Sequence, residues 1–359
     1  MKLLVISMAG NGDALFATPL IHELRLGFPD AQIDALVRWP GARDLLDGNP
    51  HINQLFQKDL PSVGKGEALR FLWSLRNLNY EVTVNTFPQS RLHYALVARF
   101  IGAPVRIGHD YSNFNWIMRR LMNRLKKPDY SSHCVENNLA LLDFLGLRPK
   151  LERHEYEIHL TLAEDTWASE FVTSRKLDGA TFMGMHVGSG STKNLALRRW
   201  PLPNYQALIV ELLKTYPNLT VLLFGGSDEK EDLQRLLEVT NRKRVLAPET
   251  KNFRQAVALL KRCRVFLSVD TALMHLAAVA AVPGQIVIET PTWNKTVEPY
   301  GRPFHLVPNP AVGGRNLDFY RYDGRGIQGT ASDIVECMRS VTVESVAAAV
   351  REKFAQVGN

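Results

Sequence analysis

The sequence predicts an α/β protein made of two doubly wound parallel sheets in tandem. Three observations predict it. Short apolar runs alternate with amphipathic stretches from residue 2 to about residue 87. The same alternation restarts after residue 160 and continues to about residue 290. With 359 residues, the chain is too long for one typical core and suits two of ordinary size.

In the first half, strands are expected at 2–8, 31–38, 52–57 and 81–87, with helices at 19–29, 42–48 and 67–78. Strand alternating with helix argues for a parallel sheet covered on both faces. In the second half, strands are expected at 181–188, 218–226, 244–249, 264–270 and 284–290. Helices fall at 163–177, 202–216, 228–239, 253–263 and 271–281. The stretch at 146–162 breaks the pattern, so domains of 1–165 and 166–335 follow. Residues 309–329 read as loop. A last helix at 342–357, capped by Thr342, belongs to a tail of 336–359 expected to pack back on the first domain. Ligands in open parallel sheets bind beyond the carboxyl ends of the strands. Two such edges facing each other would make a cleft with a wall for each of two substrates.

Composition narrows the function classes. Hydrophobic residues make up 45% and charged residues 22%, as in soluble globular proteins. The net charge of +7 suits anionic partners: nucleotide phosphates, phosphorylated glycans or an acidic membrane surface. It is equally met by a basic solvated surface. No apolar run reaches about 18 residues, and no secretory leader is read at the start. Cys134, Cys263 and Cys337 form no CxxC pair and no zinc spacing. Neither a disulfide framework nor a structural metal is expected, and a reducing cytoplasm is the default.

Four stretches carry candidate chemistry. At the first strand-to-helix turn, Gly10, Asn11 and Gly12 precede Asp13. The turn is not GxGxxG, so a dinucleotide oxidoreductase is disfavoured. Asp13 reads either as a helix cap or as a carboxylate that holds an acceptor hydroxyl. Next, Ser189, Ser191, Thr192 and Lys193 lead into Arg198 and Arg199: a diphosphate site or a solvated basic turn. Third, Gly225 and Glu229 follow a strand, where the carboxylate would meet a ribose or simply complement a helix dipole. Fourth, Asp270 and Thr271 read as caps of a helix carrying Ala272, Leu273 and His275, whose free amides would face phosphate. His275 by itself reads more often as a structural hydrogen bonder than as a ligand contact. No DxD-like acidic pair occupies a suitable loop, so no metal or other cofactor is expected.

In this order, these stretches resemble the bacterial heptosyltransferases of lipopolysaccharide core synthesis, glycosyltransferase family 9. Gly12, Asp13, Thr18 and Pro19 match the family's amino-terminal motif. Asp270-Thr271-Ala272-Leu273-Met274-His275-Leu276-Ala277-Ala278 matches its second-domain signature, the most specific element. Pro291, Thr292, Pro299, Tyr300 and Gly301 match the pattern that follows. The resemblance implies a GT-B fold, two Rossmann-like domains, and inverting transfer from a sugar nucleotide, with ADP-heptose the expected donor. It implies Asp13 as general base and Arg198 at the leaving diphosphate, in place of the family's usual lysine. Thr271, Ala272 and His275 would line the phosphate site, and Glu229 would meet the ribose. The implied acceptor is a phosphorylated, lipid-linked core sugar at the inner membrane face; no nucleic acid is implied. The alternatives are a sugar-nucleotide epimerase of the same fold and a non-catalytic nucleotide-sugar or glycan binder. Ala272 for glycine and Trp293-Asn294 for Asp-Pro depart from the family pattern.

Overall fold

The structure, a computed structural model, describes residues 1–189, 192–241, 243–313 and 330–358, and for residues 192–194 the backbone alone. The chain divides into two compact units. One is Met1–His159 with Lys295–Gly301; the other is Leu160–Asn294 with the described residues from Arg302 onward.

The first unit holds a six-stranded parallel sheet. Its strands are β1 (Lys2–Ser7), β2 (Gln32–Val37), β3 (Gln54–Gln57), β4 (Val82–Asn85), β5 (Val105–His109) and β6 (Arg124–Lys126), in the order β3-β2-β1-β4-β5-β6. Leu3, Leu4, Val5 and Ile6 of β1 are all fully buried. A central strand covered on both faces needs such an unbroken apolar run rather than alternation. The sequence places β1–β4 correctly and omits β5 and β6. Those two are short, and Arg106, His109, Arg124 and Lys126 obscure any period. Pairing with β4, and then of β6 with β5, makes them strands.

The second unit repeats the plan. Its strands are β7 (Thr181–His186), β8 (Leu219–Phe224), β9 (Val245–Leu246), β10 (Cys263–Ser268), β11 (Gly284–Ile288) and β12 (His305–Val307), in the order β12-β11-β10-β7-β8-β9. In each sheet the chain winds outward from a central strand in both directions. The reversal falls between β1 and β4 in one sheet and between β7 and β10 in the other. Loops that leave adjacent strands in opposite directions open a crevice there.

Two expectations are corrected. The closing helix, Val343–Val357, packs on the second sheet rather than on the first domain. Its Val346, Ala347, Val350 and Phe354 join the core that contains Leu208, Leu212, Val265 and Ile286. That apolar stripe is continuous with the second core, and Arg351 ties the helix to Glu211 at 2.5 Å. Thr342 is its N-cap, accepting from Ser345 N at 3.2 Å. Secondly, Lys295–Gly301 belongs to the first unit although the sequence assigns it to the second domain. The Tyr300 ring stacks on His133 at 4.7 Å, its hydroxyl bonds Glu136, and Glu298 O lies 2.9 Å from His133 Nε2.

Candidate active site

At the carboxyl edge of the second sheet, Arg198 sits in a side-chain cage. It ends the short 3-10 helix Thr192–Arg198, and its residue is 6% exposed. Nη1 donates to Asp270 Oδ2 at 2.7 Å and to Thr292 Oγ1 at 2.5 Å, and Nη2 donates to Asp270 O at 3.3 Å. Thr290 Oγ1 lies 3.1 Å from Thr292 Oγ1. The loops after β10 and β11 therefore grip one guanidinium from two sides. Its Nε is buried and has no hydrogen-bond partner among the described residues.

Asp270 does not cap the next helix. Thr271 does: it is the N-cap of Ala272–Val279, and its Oγ1 accepts from Met274 N at 3.4 Å. Thr271 Oγ1 also lies 3.0 Å from His186 Nδ1, at the end of β7. This bond spans the β7–β10 reversal. Ala272 is half-buried at the first helical position, while Leu273 and His275 are buried behind it.

Arg199 faces the other way. Its guanidinium donates to Glu229 Oε1 at 2.8 Å and to Asp232 Oδ2 at 3.0 Å. Glu229 Oε2 accepts from Gly226 N at 2.9 Å. Arg199 and Glu229, read in the sequence as separate ligand contacts, are thus partners of each other. Glycine is needed nearby: a Cβ on Gly188 would lie 2.3 Å from Glu229 Oε1, and one on Gly225 would lie 2.9 Å from a Leu233 methyl. The Ser189 hydroxyl is buried and donates to Leu195 O. Ser191 and the side chains of Thr192 and Lys193 lie outside the described residues.

In the first unit the corresponding edge carries Asp13. A five-residue helix, Asn11–Leu15, precedes a second helix, Thr18–Gly27, where the sequence predicts one. Asp13 is not a cap. Gly10 is the N-cap, and Asp13 is the third helical residue, half-buried. A Cβ on Gly10 would come 2.9 Å from Asp13 Oδ2, so glycine there leaves the carboxylate its place. Trp39 Nε1 donates to Ala9 O at 3.0 Å and anchors the turn. Asn11 Oδ1 is buried without a hydrogen-bond partner among the described residues, and Gly12 is half-buried beside it. From the neighbouring β4 side, the Gln89 amide nitrogen reaches Ile6 O and Thr86 O.

The model of glycosyltransferase family 9 (heptosyltransferase) matches residues 68–309. The chain belongs to this family. As a family-9 member it is a glycosyltransferase. Lipopolysaccharide heptosyltransferase 3 of Escherichia coli K12 is 26% identical over 283 residues, which cover 77% of this chain and 79% of that one. The glycosyl transferase family 9 structure from Veillonella parvula superimposes with a TM-score of 0.78 at 18% identity, over 99% of this chain and 97% of the other. The E. coli ADP-heptose LPS heptosyltransferase II structure gives a TM-score of 0.72 at 22% identity, over 99% of each chain. The fold is GT-B.

For this family-9 chain, sequence reasoning missed His186 and the grip of Thr290 and Thr292 on Arg198. His186 ends a strand and resembles any core histidine until β10 brings Thr271 to it. Thr292 was visible as part of a motif, but nothing in the sequence pairs it with residue 198.

The buried histidines give a pH prediction. Burial, then Arg199, pushes His186 down to about 3, and burial does the same to His275. An unfolded imidazole titrates near 6.5. As pH falls, the unfolded state binds protons first, so stability is lost from about pH 6.5 down toward pH 3. At pH 5 each histidine costs about 2 kcal/mol. The urea midpoint is expected to drop clearly between pH 7 and pH 5; equal midpoints would contradict the neutral burial of these rings.

Proposed function

We propose that this glycosyltransferase moves a heptose from ADP-heptose to a lipopolysaccharide core sugar, with inversion at the anomeric carbon. The observation that carries this reading is the caged Arg198 beside the amino end of the Ala272–Val279 helix, at the reversal of the second sheet. A nucleoside diphosphate develops negative charge as it leaves. A cation already fixed by Asp270 and Thr292, with helix amides beside it, lowers that barrier without reorganising. The names of the similar proteins supply the sugar and the acceptor class.

Asp13 is the general base in this reading. It takes the proton of the acceptor hydroxyl as that oxygen attacks C1, the C1–O bond to the diphosphate breaks, and ADP leaves with the bonding pair. Arg198, Thr271 and Ala272 hold the diphosphate, and the Glu229–Arg199 pair borders the ribose. Charge neutralisation by these protein groups stands in for a divalent ion at the leaving group.

The acceptor is a phosphorylated, lipid-linked core sugar, met at the cytoplasmic face of a membrane. Three helices of the first unit pack side by side, Lys65–Arg76, Leu92–Ile101 and Trp116–Leu121. They expose Leu69, Trp73, Leu96 and Trp116, the last 70% exposed, among the exposed Arg70, Arg99 and Arg120. Tryptophan with arginine suits an anionic lipid interface. Among the described residues no helix is long and apolar enough to cross a membrane.

The test measures ADP release from ADP-heptose with acceptor displayed on anionic vesicles. Release that requires the acceptor is expected. Turnover of the donor without acceptor, to an isomeric ADP-sugar or to ADP, would instead mark an epimerase or hydrolase, and binding without turnover a non-catalytic receptor. Replacing Trp73 and Trp116 with serine is expected to slow release on vesicles but not with detergent-dispersed acceptor.

A further inference from the structure

Four ligand-type side chains meet in the first unit, outside the site described above. His22 comes from the Thr18–Gly27 helix and His51 from the turn before β3. Glu157 and His159 come from the irregular segment that precedes the Leu162–Ser174 helix. His22 Nδ1 lies 2.5 Å from Glu157 Oε1, His51 Nε2 lies 3.7 Å from Glu157 Oε2, and His159 Nε2 lies 3.8 Å from the same oxygen. The ligand atoms of His22, His51 and Glu157 all fall within 4.8 Å of one another.

The cluster is held by its surroundings. Glu157 N donates to Thr18 Oγ1 at 3.0 Å. Glu23, on the same helix as His22, accepts from Lys150 N and Leu151 N at 2.8 Å each. Arg25 spends its guanidinium on Pro29 O, Ala31 O, His51 O and Asn53 Oδ1, which fixes the His51 turn. Yet Glu157 Oε2 and His159 Nε2 are both shielded from solvent with no hydrogen-bond partner among the described residues. Buried polar atoms are rarely left so.

We propose that His22, His51, His159 and Glu157 bind one divalent transition-metal ion of the zinc class. Three imidazole nitrogens and one carboxylate oxygen form a donor set that zinc takes in tetrahedral geometry. With bonds of about 2.0–2.1 Å, tetrahedral donors stand roughly 3.3 Å apart. The His51–Glu157 and His159–Glu157 separations of 3.7 and 3.8 Å contract, the His22–Glu157 hydrogen bond opens to admit the ion, and His159, which lies outside the trio whose ligand atoms fall within 4.8 Å of one another, turns inward to become the fourth donor. The ion would satisfy both orphaned atoms. It would staple the helix that follows Asp13 to the segment leading out of the unit, without taking part in transfer. The sequence carries no local signal of this site, because the four ligands are scattered along the chain and form no short metal-binding motif.

The test uses the full chain, carrying a tag free of histidine and stripped with chelator. Zn²⁺ is titrated in competition with a chromophoric chelator, and Co²⁺ is followed by its visible absorption. One ion per chain and the intense bands of tetrahedral cobalt are expected. His51→Ala and His159→Ala are each expected to weaken zinc by more than about 100-fold, since even outer partners of a ligand cost about 10–100-fold. His159 is the most exposed of the three rings, at 38%, so its loss leaves the metal-free fold intact by circular dichroism. Zinc should raise the melting temperature of the wild type and leave that of His159→Ala unmoved. No stoichiometric uptake by the wild type, or equal affinity in both variants, overturns the proposal. The readout is metal binding alone, so it stands or falls apart from heptosyl transfer.

Discussion

Asp13→Ala is expected to slow heptosyl transfer by about 10²–10⁴-fold, the usual contribution of a general base, while ADP-heptose still binds. Retained binding is read by thermal denaturation: donor at about 100 times its dissociation constant adds roughly 2.7 kcal/mol. The two readouts separate because Asp13 belongs to the first unit, whereas Arg198, Asp270 and Thr271 belong to the second. The fold should tolerate the change. Asp13 is half-buried, and the turn around it is held by Trp39 on Ala9 O and by the buried Ala14 and Leu15. Unchanged turnover in Asp13→Ala would dismiss it as the base. Gly10 tests the same point from the backbone, because a methyl there would press on Asp13 Oδ2.

Arg198→Met is expected to do two separable kinds of damage. It removes the cation proposed to meet the leaving diphosphate, and it leaves the Asp270 carboxylate, 14% exposed, without the arginine that neutralises it. Breaking a buried ion pair from one side costs about 3–5 kcal/mol. The melting temperature is expected to fall by roughly 10 °C, with ADP release lost as well. Arg198→Met combined with Asp270→Asn removes both charges, so stability is expected to return while turnover does not. If the double variant regains turnover, Arg198 only supports the fold. Arg198→Lys keeps the charge but has no planar fork to reach Asp270 and Thr292 together. It is expected to retain more activity than the methionine variant and less stability than the wild type.

Much of the architecture was legible because parallel strands buried on both faces leave a strong mark. KLLVIS, QIDALV and LTVLLF read as strands in any context, and their apolar runs are buried as expected. Two edge strands were not legible: RLK at β6 and HLV at β12 become strands only because β5 and β11 offer them hydrogen-bonding partners. Similarly, the closing helix was recognised by its cap and apolar stripe, but a stripe does not say which core will receive it.

The candidate site divides in the same way. Gly10 to Asp13, Arg198 and the Asp270–Ala278 motif stand out as residue types in fixed local order at strand ends, and local order is what a linear chain records. Which of them touch was left to the tertiary structure. Asp270 looked like a helix cap and proves to be the counter-ion of Arg198, 72 positions away. Arg199 and Glu229 looked like independent contacts and are an ion pair. His22, His51, Glu157 and His159 had no signal at all. The amino-acid order thus determined most of the strands, the turns that follow them and the family. Folding decided the partners, because hydrogen bonds and ion pairs depend on distances that the parallel sheet sets between loops remote in sequence.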